Sequence, residues 1–97
     1  MGATQAAEFA AAAGEGEISM RQAVTWHLSA NHFPPVHTIF VPIAMRAIRL
    51  AAAEDFDETI TLPSGVVLSV TEVVDQLHLW EFVDNADAVP FDDDVDG

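Results

Sequence analysis

Apolar residues recur every three or four positions over residues 20–30, which is the spacing of one face of an α-helix. That face consists of Met20, Val24 and His27 or Leu28. Ser19 precedes the segment and stands three residues before Gln22, a capping-box spacing that predicts the helix start. Asn31 suits a left-handed C-terminal stop, and the two prolines at 34–35 prevent the helix from continuing.

A second helix is predicted by the longest apolar stripe in the chain. Its positions are Val36, Phe40, Ile43, Ala47 and Leu50. Proline is tolerated only in the first turn, so Pro42 places the start of the regular helix between Thr38 and Pro42. The helix is expected to end near Glu54.

The pattern then changes to a period of two, which is typical of β-strands. Residues 59–62 and 66–70 alternate, and Pro63-Ser64-Gly65 between them suits a hairpin loop with Gly65 at positive φ. A lone hairpin is unstable in water, so one side must pack on the helices. That side is predicted to be Ile60, Leu62, Val66 and Leu68.

A third helix is predicted after the hairpin, with Thr71 as its N-cap and Glu72 in its first turn. Its apolar face is expected to contain Val73 or Val74, Leu77, Trp80, and Val83 or Phe82. The order of helix, helix, hairpin and helix predicts one small α+β domain over residues 18–84. Residues 1–17 are expected to be a flexible Ala/Gly/Glu arm, and residues 85–97 an acidic disordered tail.

Charge and composition exclude several classes of protein. The 97-residue chain has 16 acidic residues against three arginines and no lysine, for a net charge of -13. Direct nucleic-acid binding through a basic surface is therefore not expected. Cysteine is absent, which removes thiolate zinc sites and cysteine nucleophiles. No apolar run reaches the length of a membrane span and the N-terminus does not resemble a secretory signal, so we expect a cytoplasmic protein without membrane contact.

Three histidines raise the question of a metal-binding or catalytic site. His27, His32 and His37 recur at five-residue intervals, which on one helix places side chains about 140° apart. The prolines interrupt any helix between the last two, and three or four convergent ligands are needed for a metal. Capping, turn or interface roles are the alternative, also for His78, and we expect no cofactor.

No catalytic nucleophile is evident. Ser29 lies two residues from His27 and Ser64 lies in the hairpin turn, but neither stands in a strand-to-helix elbow. A glycine-rich phosphate loop is also absent. We therefore expect a protein that is not an enzyme.

The acidic C-terminus offers a second functional hypothesis. Its carboxylates could imitate nucleic-acid phosphates and occupy a basic protein surface as a decoy. The spacing also matches the first half of an EF-hand calcium loop, but the closing glutamate is missing. The residues concerned are Asp92, Asp93, Asp94 and Asp96.

The leading hypothesis is protein–protein interaction or homo-oligomerisation through the apolar surface of the second helix and of residues 33–36, because the mean hydropathy is +0.25 in so short a chain. Phe-Pro-Pro is a rigid apolar segment that suits docking, although such a segment is more often a helix connection with its Phe in the core. The candidate interface comprises Trp26, Phe33, Pro34, Pro35, Val36, Phe40 and Trp80.

A family resemblance is carried by four short motifs over residues 20–84. They are the His-Phe-Pro-Pro segment (residues 32–35), the alanine-rich second helix, the Leu-Pro-x-Gly hairpin (residues 62–65) and the Val83-Asp84 helix end. In these the chain resembles small uncharacterised proteins of actinobacterial bacteriophages. The resemblance implies an accessory protein of phage origin in the host cytoplasm, with no assigned activity.

Overall fold

The structure is a computed structural model that describes residues 2–31 and 40–86. These residues form five helices and a two-stranded antiparallel sheet around one core, which confirms the α+β class. In chain order the elements are α1 (Gly2–Gly14), α2 (Met20–Ala30), α3 (Val41–Ala52), β1 (Thr59–Thr61), β2 (Val67–Ser69), α4 (Val70–Gln76) and α5 (Trp80–Asn85).

Helix α1 belongs to the core, which corrects the expectation of a flexible arm over residues 1–17. Ala6, Ala10 and Ala13 are at most 1% exposed, and the helix packs against both α2 and α5. These alanines are spaced four and three residues apart, so they form one helix face that approaches its neighbours closely. The segment buries this face although it contributes few large side chains.

Helix α2 has the predicted bounds. The Ser19 hydroxyl accepts a hydrogen bond from the Gln22 backbone N–H at 3.0 Å, as the capping spacing predicts. Asn31 ends the helix differently from the expectation, because its φ is -99° rather than left-handed. Its side-chain Nδ2 instead donates to the His27 carbonyl oxygen at 2.8 Å, and its backbone N–H donates to the same oxygen at 3.1 Å.

Helix α3 begins and ends where the apolar stripe and Pro42 predict. Its last turn closes in a Schellman motif, in which Glu54 N donates to Ala51 O and Asp55 N to Leu50 O, both at 2.9 Å. The residue at the left-handed position is Glu54, with φ 61°. Glycine is the usual residue there, so this turn carries a backbone penalty.

The hairpin is confirmed at the predicted place in the chain. Ile60 pairs with Leu68 and Thr61 with Val67, and Gly65 has the expected positive φ of 96°. Ile60 packs into the core, but Val66 is 50% exposed and does not share its inward orientation. The prediction that Val66 faces the helices is therefore wrong.

The predicted third helix is two helices with a different cap. Ser69, not Thr71, is the N-cap of α4, and Ser69 and Glu72 form a complete capping box. The chain then turns at His78, whose φ is 58°, and resumes as α5. A second Schellman motif makes this turn, with Leu79 N bonded to Val74 O at 2.8 Å.

The core lies where the five helices and the inner face of the hairpin meet. The core includes Ala86, which is 8% exposed, so the domain extends slightly beyond the predicted boundary at residue 84. The rest of the predicted tail, residues 87–97, lies outside the described residues. Among the helices that the structure describes, none has the length and apolar character to cross a bilayer.

Candidate protein-binding surface

Both tryptophans lie at the surface of the domain. Trp26 on α2 is 44% exposed and Trp80 at the start of α5 is 38% exposed. Their neighbours on the same helices, His27 and Phe82, are fully buried. The core is thus filled by other side chains, and large aromatic surface remains in contact with water.

The two tryptophans are neighbours of the same helix, α1. The rings of Phe9 and Trp26 meet edge to face with their centres 5.9 Å apart, and Ala6 lines a cleft together with Trp80. Ala6 and Phe9 are three residues apart on α1, a spacing that makes their side chains adjacent on one helix face. Ala6 itself is buried, so we call the exposed side chains of Trp26 and Trp80, together with the half-buried Phe9, the tryptophan surface.

The other candidate interface residues are placed differently. Phe40 is only partly exposed and packs against the core at the N-cap of α3. The segment Phe33, Pro34, Pro35 and Val36 lies outside the described residues. The apolar face of α3 was expected to supply docking surface, but six of its residues are buried, and this corrects that expectation: Val41, Ala44, Met45, Ala47, Ile48 and Ala51.

Beside Trp80 lies an open cleft of about 160 Å³ that the sequence did not reveal. We call it the Trp80 cleft; its lining residues are Ala6, Asp75, His78, Trp80 and Glu81. The turn at His78 brings the last turn of α4 and the first turn of α5 to one concavity. No glycine marks this turn, so no residue type at this position indicated that one helix would become two.

His27 is fully buried and has a partner at each ring nitrogen. Its Nε2 is 2.8 Å from the Leu77 carbonyl oxygen, which can only accept, so this nitrogen carries the proton. The Nδ1 atom then accepts from Asn31 Nδ2 at 3.3 Å. Burial lowers the pKa of His27 below its ordinary value, and the charge of nearby His78 lowers it further, although the bond to Leu77 opposes the shift. The neutral ring is a packing and hydrogen-bonding element of the core.

The three-histidine hypothesis finds no support in this geometry. The ring of His27 is engaged inside the core, where it also packs against Phe82 with ring centres 5.3 Å apart. His32 and His37 lie outside the described residues, and His78 is exposed at the α4–α5 turn. Over residues 2–31 and 40–86, no three His, Asp or Glu side chains are grouped to hold a metal ion.

Among the described residues, neither of the two serines considered as nucleophiles has a hydrogen bond to a base. Ser29 is exposed on α2, but both ring nitrogens of His27 already have partners in the interior. Ser64 is exposed in the hairpin turn. The arrangement of these described residues therefore offers no nucleophile bonded to a base.

The folded part of the chain is itself strongly acidic. The described residues include 11 acidic side chains, every one of them exposed, against three arginines. Most of the acidic residues therefore belong to the folded part of the chain and not to the predicted tail. The decoy residues Asp92, Asp93, Asp94 and Asp96 lie beyond the part of the chain that the structure describes.

Comparison with known proteins adds no family to this description. No protein-family model, curated protein or solved structure matches the chain. The chain is thus characterised by its own fold and surface: a small α+β domain with an acidic exterior and two exposed tryptophans beside α1.

Proposed function

We propose that this protein is a non-enzymatic accessory protein that binds another protein through the tryptophan surface. The observation that carries the proposal is that Trp26 and Trp80 are 44% and 38% exposed in a domain whose core is closed without them. Tryptophan is the residue type most enriched among the energetically dominant positions of protein interfaces. Two of them beside one helix form a candidate anchor pair.

Charge favours a different protein over a second copy of this chain. Two copies would each bring a net charge of -13 to the contact, and like charges across an interface oppose association. A partner with a basic surface would instead be attracted at long range. Homo-oligomerisation through the same tryptophans is the alternative that the test below separates.

The setting of this function is the cytoplasm of a bacterial host, on the resemblance to actinobacterial phage proteins. The acidic decoy hypothesis depends on Asp92 to Asp96, and it remains a prediction from the sequence. His27 is not available for a metal-binding or catalytic role together with His32 and His37, because both of its ring nitrogens have partners in the core.

Affinity capture from an actinobacterial lysate tests the proposal when three forms of the full chain are compared. The wild type is the reference, and the W26A/W80A variant lacks the tryptophan surface. The matched control is F56A, which removes another aromatic side chain, 43% exposed, from the loop before β1. Circular dichroism establishes that all three are folded.

If the proposal is right, the wild type and F56A capture proteins from the lysate that W26A/W80A does not capture. Light scattering during size exclusion is expected to give the monomer mass of 10.4 kDa for the free protein. If the wild type is a dimer and W26A/W80A is a monomer, the surface serves self-association instead. Capture that is the same for all three forms, or no capture by the wild type, would overturn the proposal.

A further inference from the structure

We propose that the Trp80 cleft binds an arginine side chain of the partner protein. This inference rests on the proposed function, because it names the chemistry that one part of the tryptophan surface recognises. The cleft combines an exposed indole ring with the carboxylates of Asp75 and Glu81.

The size of the cleft limits what can occupy it. At about 160 Å³ it is smaller than the roughly 300–1,000 Å³ of pockets that enclose small organic ligands. It is also open to solvent on one side, so it suits the end of a side chain that projects from another protein. The occupant is therefore a protein side chain rather than a free metabolite.

The lining selects the charge of that side chain. Asp75 and Glu81 are both exposed at the cleft, no lysine or arginine lines it, and the remaining titratable residue of its lining is His78. The three arginines of this chain are on α2 and α3. An incoming cation would meet two carboxylates there, within a domain whose overall charge is strongly negative.

The indole ring selects arginine over lysine. A guanidinium group is planar, so it can stack on the face of Trp80 while its N–H groups donate to a carboxylate in a forked pair. A lysine ammonium group is a compact, strongly hydrated charge that neither stacks as a plane nor donates in a forked pair. The α4–α5 turn makes this combination possible, because it brings Asp75 of α4 beside Trp80 and Glu81 of α5.

The test uses the full chain and two blocked pentapeptides, Gly-Ser-Arg-Gly-Ser and the same peptide with neutral citrulline in place of arginine. Binding is followed by the NMR signals of the two indole N–H groups, which the W26F variant assigns. The proposal expects a saturable shift of the Trp80 signal with the arginine peptide and no shift with the citrulline peptide. Replacing arginine by lysine in the peptide is expected to weaken binding.

Charge variants provide the matched control. D75N/E81Q removes both carboxylates of the cleft, whereas D57N/E58Q removes two exposed carboxylates of the loop before β1 and gives the same net charge. D75N/E81Q is expected to bind the arginine peptide about tenfold more weakly at low salt, given the usual strength of exposed ion pairs. The second is expected to change the affinity by less than about twofold, since only screened long-range attraction is lost.

Equal weakening by both variants would overturn the proposal, because a diffuse charge effect would then explain binding. Equal binding of the citrulline or lysine peptide would also overturn it, as would a shift confined to Trp26. These failures are distinguishable from failure of the proposed function. If lysate capture still depends on Trp26 and Trp80 while the arginine peptide does not bind, only the chemistry assigned to the cleft is wrong.

Discussion

The imidazole of His27 donates a 2.8 Å hydrogen bond to the carbonyl oxygen of Leu77, fifty residues further along the chain. This bond joins α2 to the turn between α4 and α5, and that turn also forms the Trp80 cleft. Because the bond is buried, either partner left alone would be an unsatisfied polar group in the core. The bond thus links the helix that carries Trp26 to the turn that precedes Trp80.

The stability of the domain is expected to fall as the pH is lowered below 6.5, the ordinary pKa of histidine. The pKa of His27 is lowered in the folded protein because burial disfavours the charged ring. The unfolded chain therefore binds a proton at a pH where the folded chain does not, and the free energy of unfolding decreases over that range. Urea denaturation at several pH values from 7.5 to 5.5 measures the decrease.

Two histidine variants isolate this effect from the titration of other groups. H27Q keeps an N–H donor for Leu77 but cannot be protonated, so its curve is expected to lack the decrease. H78N replaces the exposed histidine of the same turn by a residue that tolerates left-handed φ, and it is expected to retain the decrease. A decrease of the same size in H27Q would show that another group is responsible.

Helix α1 is expected to be a stability determinant. Ala10 is fully buried, so A10L would force a larger side chain into close packing and is expected to destabilise the protein by about 1–3 kcal/mol. A11L, one residue further along, places the same side chain on the exposed face and is expected to change stability by less than about 0.5 kcal/mol. If both variants unfold at the wild-type urea concentration, residues 2–14 do not pack as described.

The capping box at Ser69 is expected to stabilise α4 measurably. The Ser69 hydroxyl accepts from Glu72 N at 3.1 Å, and Glu72 Oε1 accepts from Ser69 N at 3.0 Å. S69A is expected to cost about 1 kcal/mol of unfolding free energy, which is typical for loss of an N-cap. S64A in the exposed hairpin turn is the control, and an equal effect of the two substitutions would refute the role of the cap.

Glu54 is expected to be a site where glycine stabilises. Its φ of 61° is left-handed, and an L-residue there is disfavoured by roughly 1–2 kcal/mol relative to right-handed backbone. E54G is therefore expected to raise the unfolding free energy by about 1 kcal/mol. E54Q removes the charge but keeps the side chain, and it measures how much of any gain comes from charge alone.

Gly16 provides the reverse experiment. It occupies the equivalent left-handed position after α1, with φ 82°, and a Cβ atom there would meet no heavy atom within 4 Å. G16A is thus expected to destabilise by about 1 kcal/mol through backbone conformation alone. A neutral result at both positions would mean that the two turns adopt other conformations in solution.

The sequence predicted correctly those elements whose ends are marked by a capping residue, a proline or a glycine. Ser19 with Gln22 located α2, Pro42 located the start of α3, and Gly65 located the hairpin turn. The prediction failed at the α4–α5 turn because His78 adopts positive φ without being glycine. It also failed at α1, where a face of buried alanines packs against the core. In the sequence this face cannot be told apart from an ordinary run of alanines.

The candidate site was predictable only in part, because exposure depends on tertiary packing. Trp26 and Trp80 were recognised as candidates from their residue type, yet Trp80 was also expected on the apolar face of a continuous helix. The break at His78 turns it outward and brings Phe82 into the core instead. Asp75 and Glu81 could not have been selected, since only that break places them beside Trp80.

The affinity of a captured partner for the tryptophan variants tests the central claim most directly. Calorimetric titration would compare the wild type, W26A/W80A and F56A at one salt concentration. Anchor tryptophans contribute about 2 kcal/mol or more each, so W26A/W80A is expected to bind at least a hundredfold more weakly, and F56A within about threefold of the wild type. Equal affinity of W26A/W80A and the wild type would contradict the claim that the protein binds its partner through these two residues.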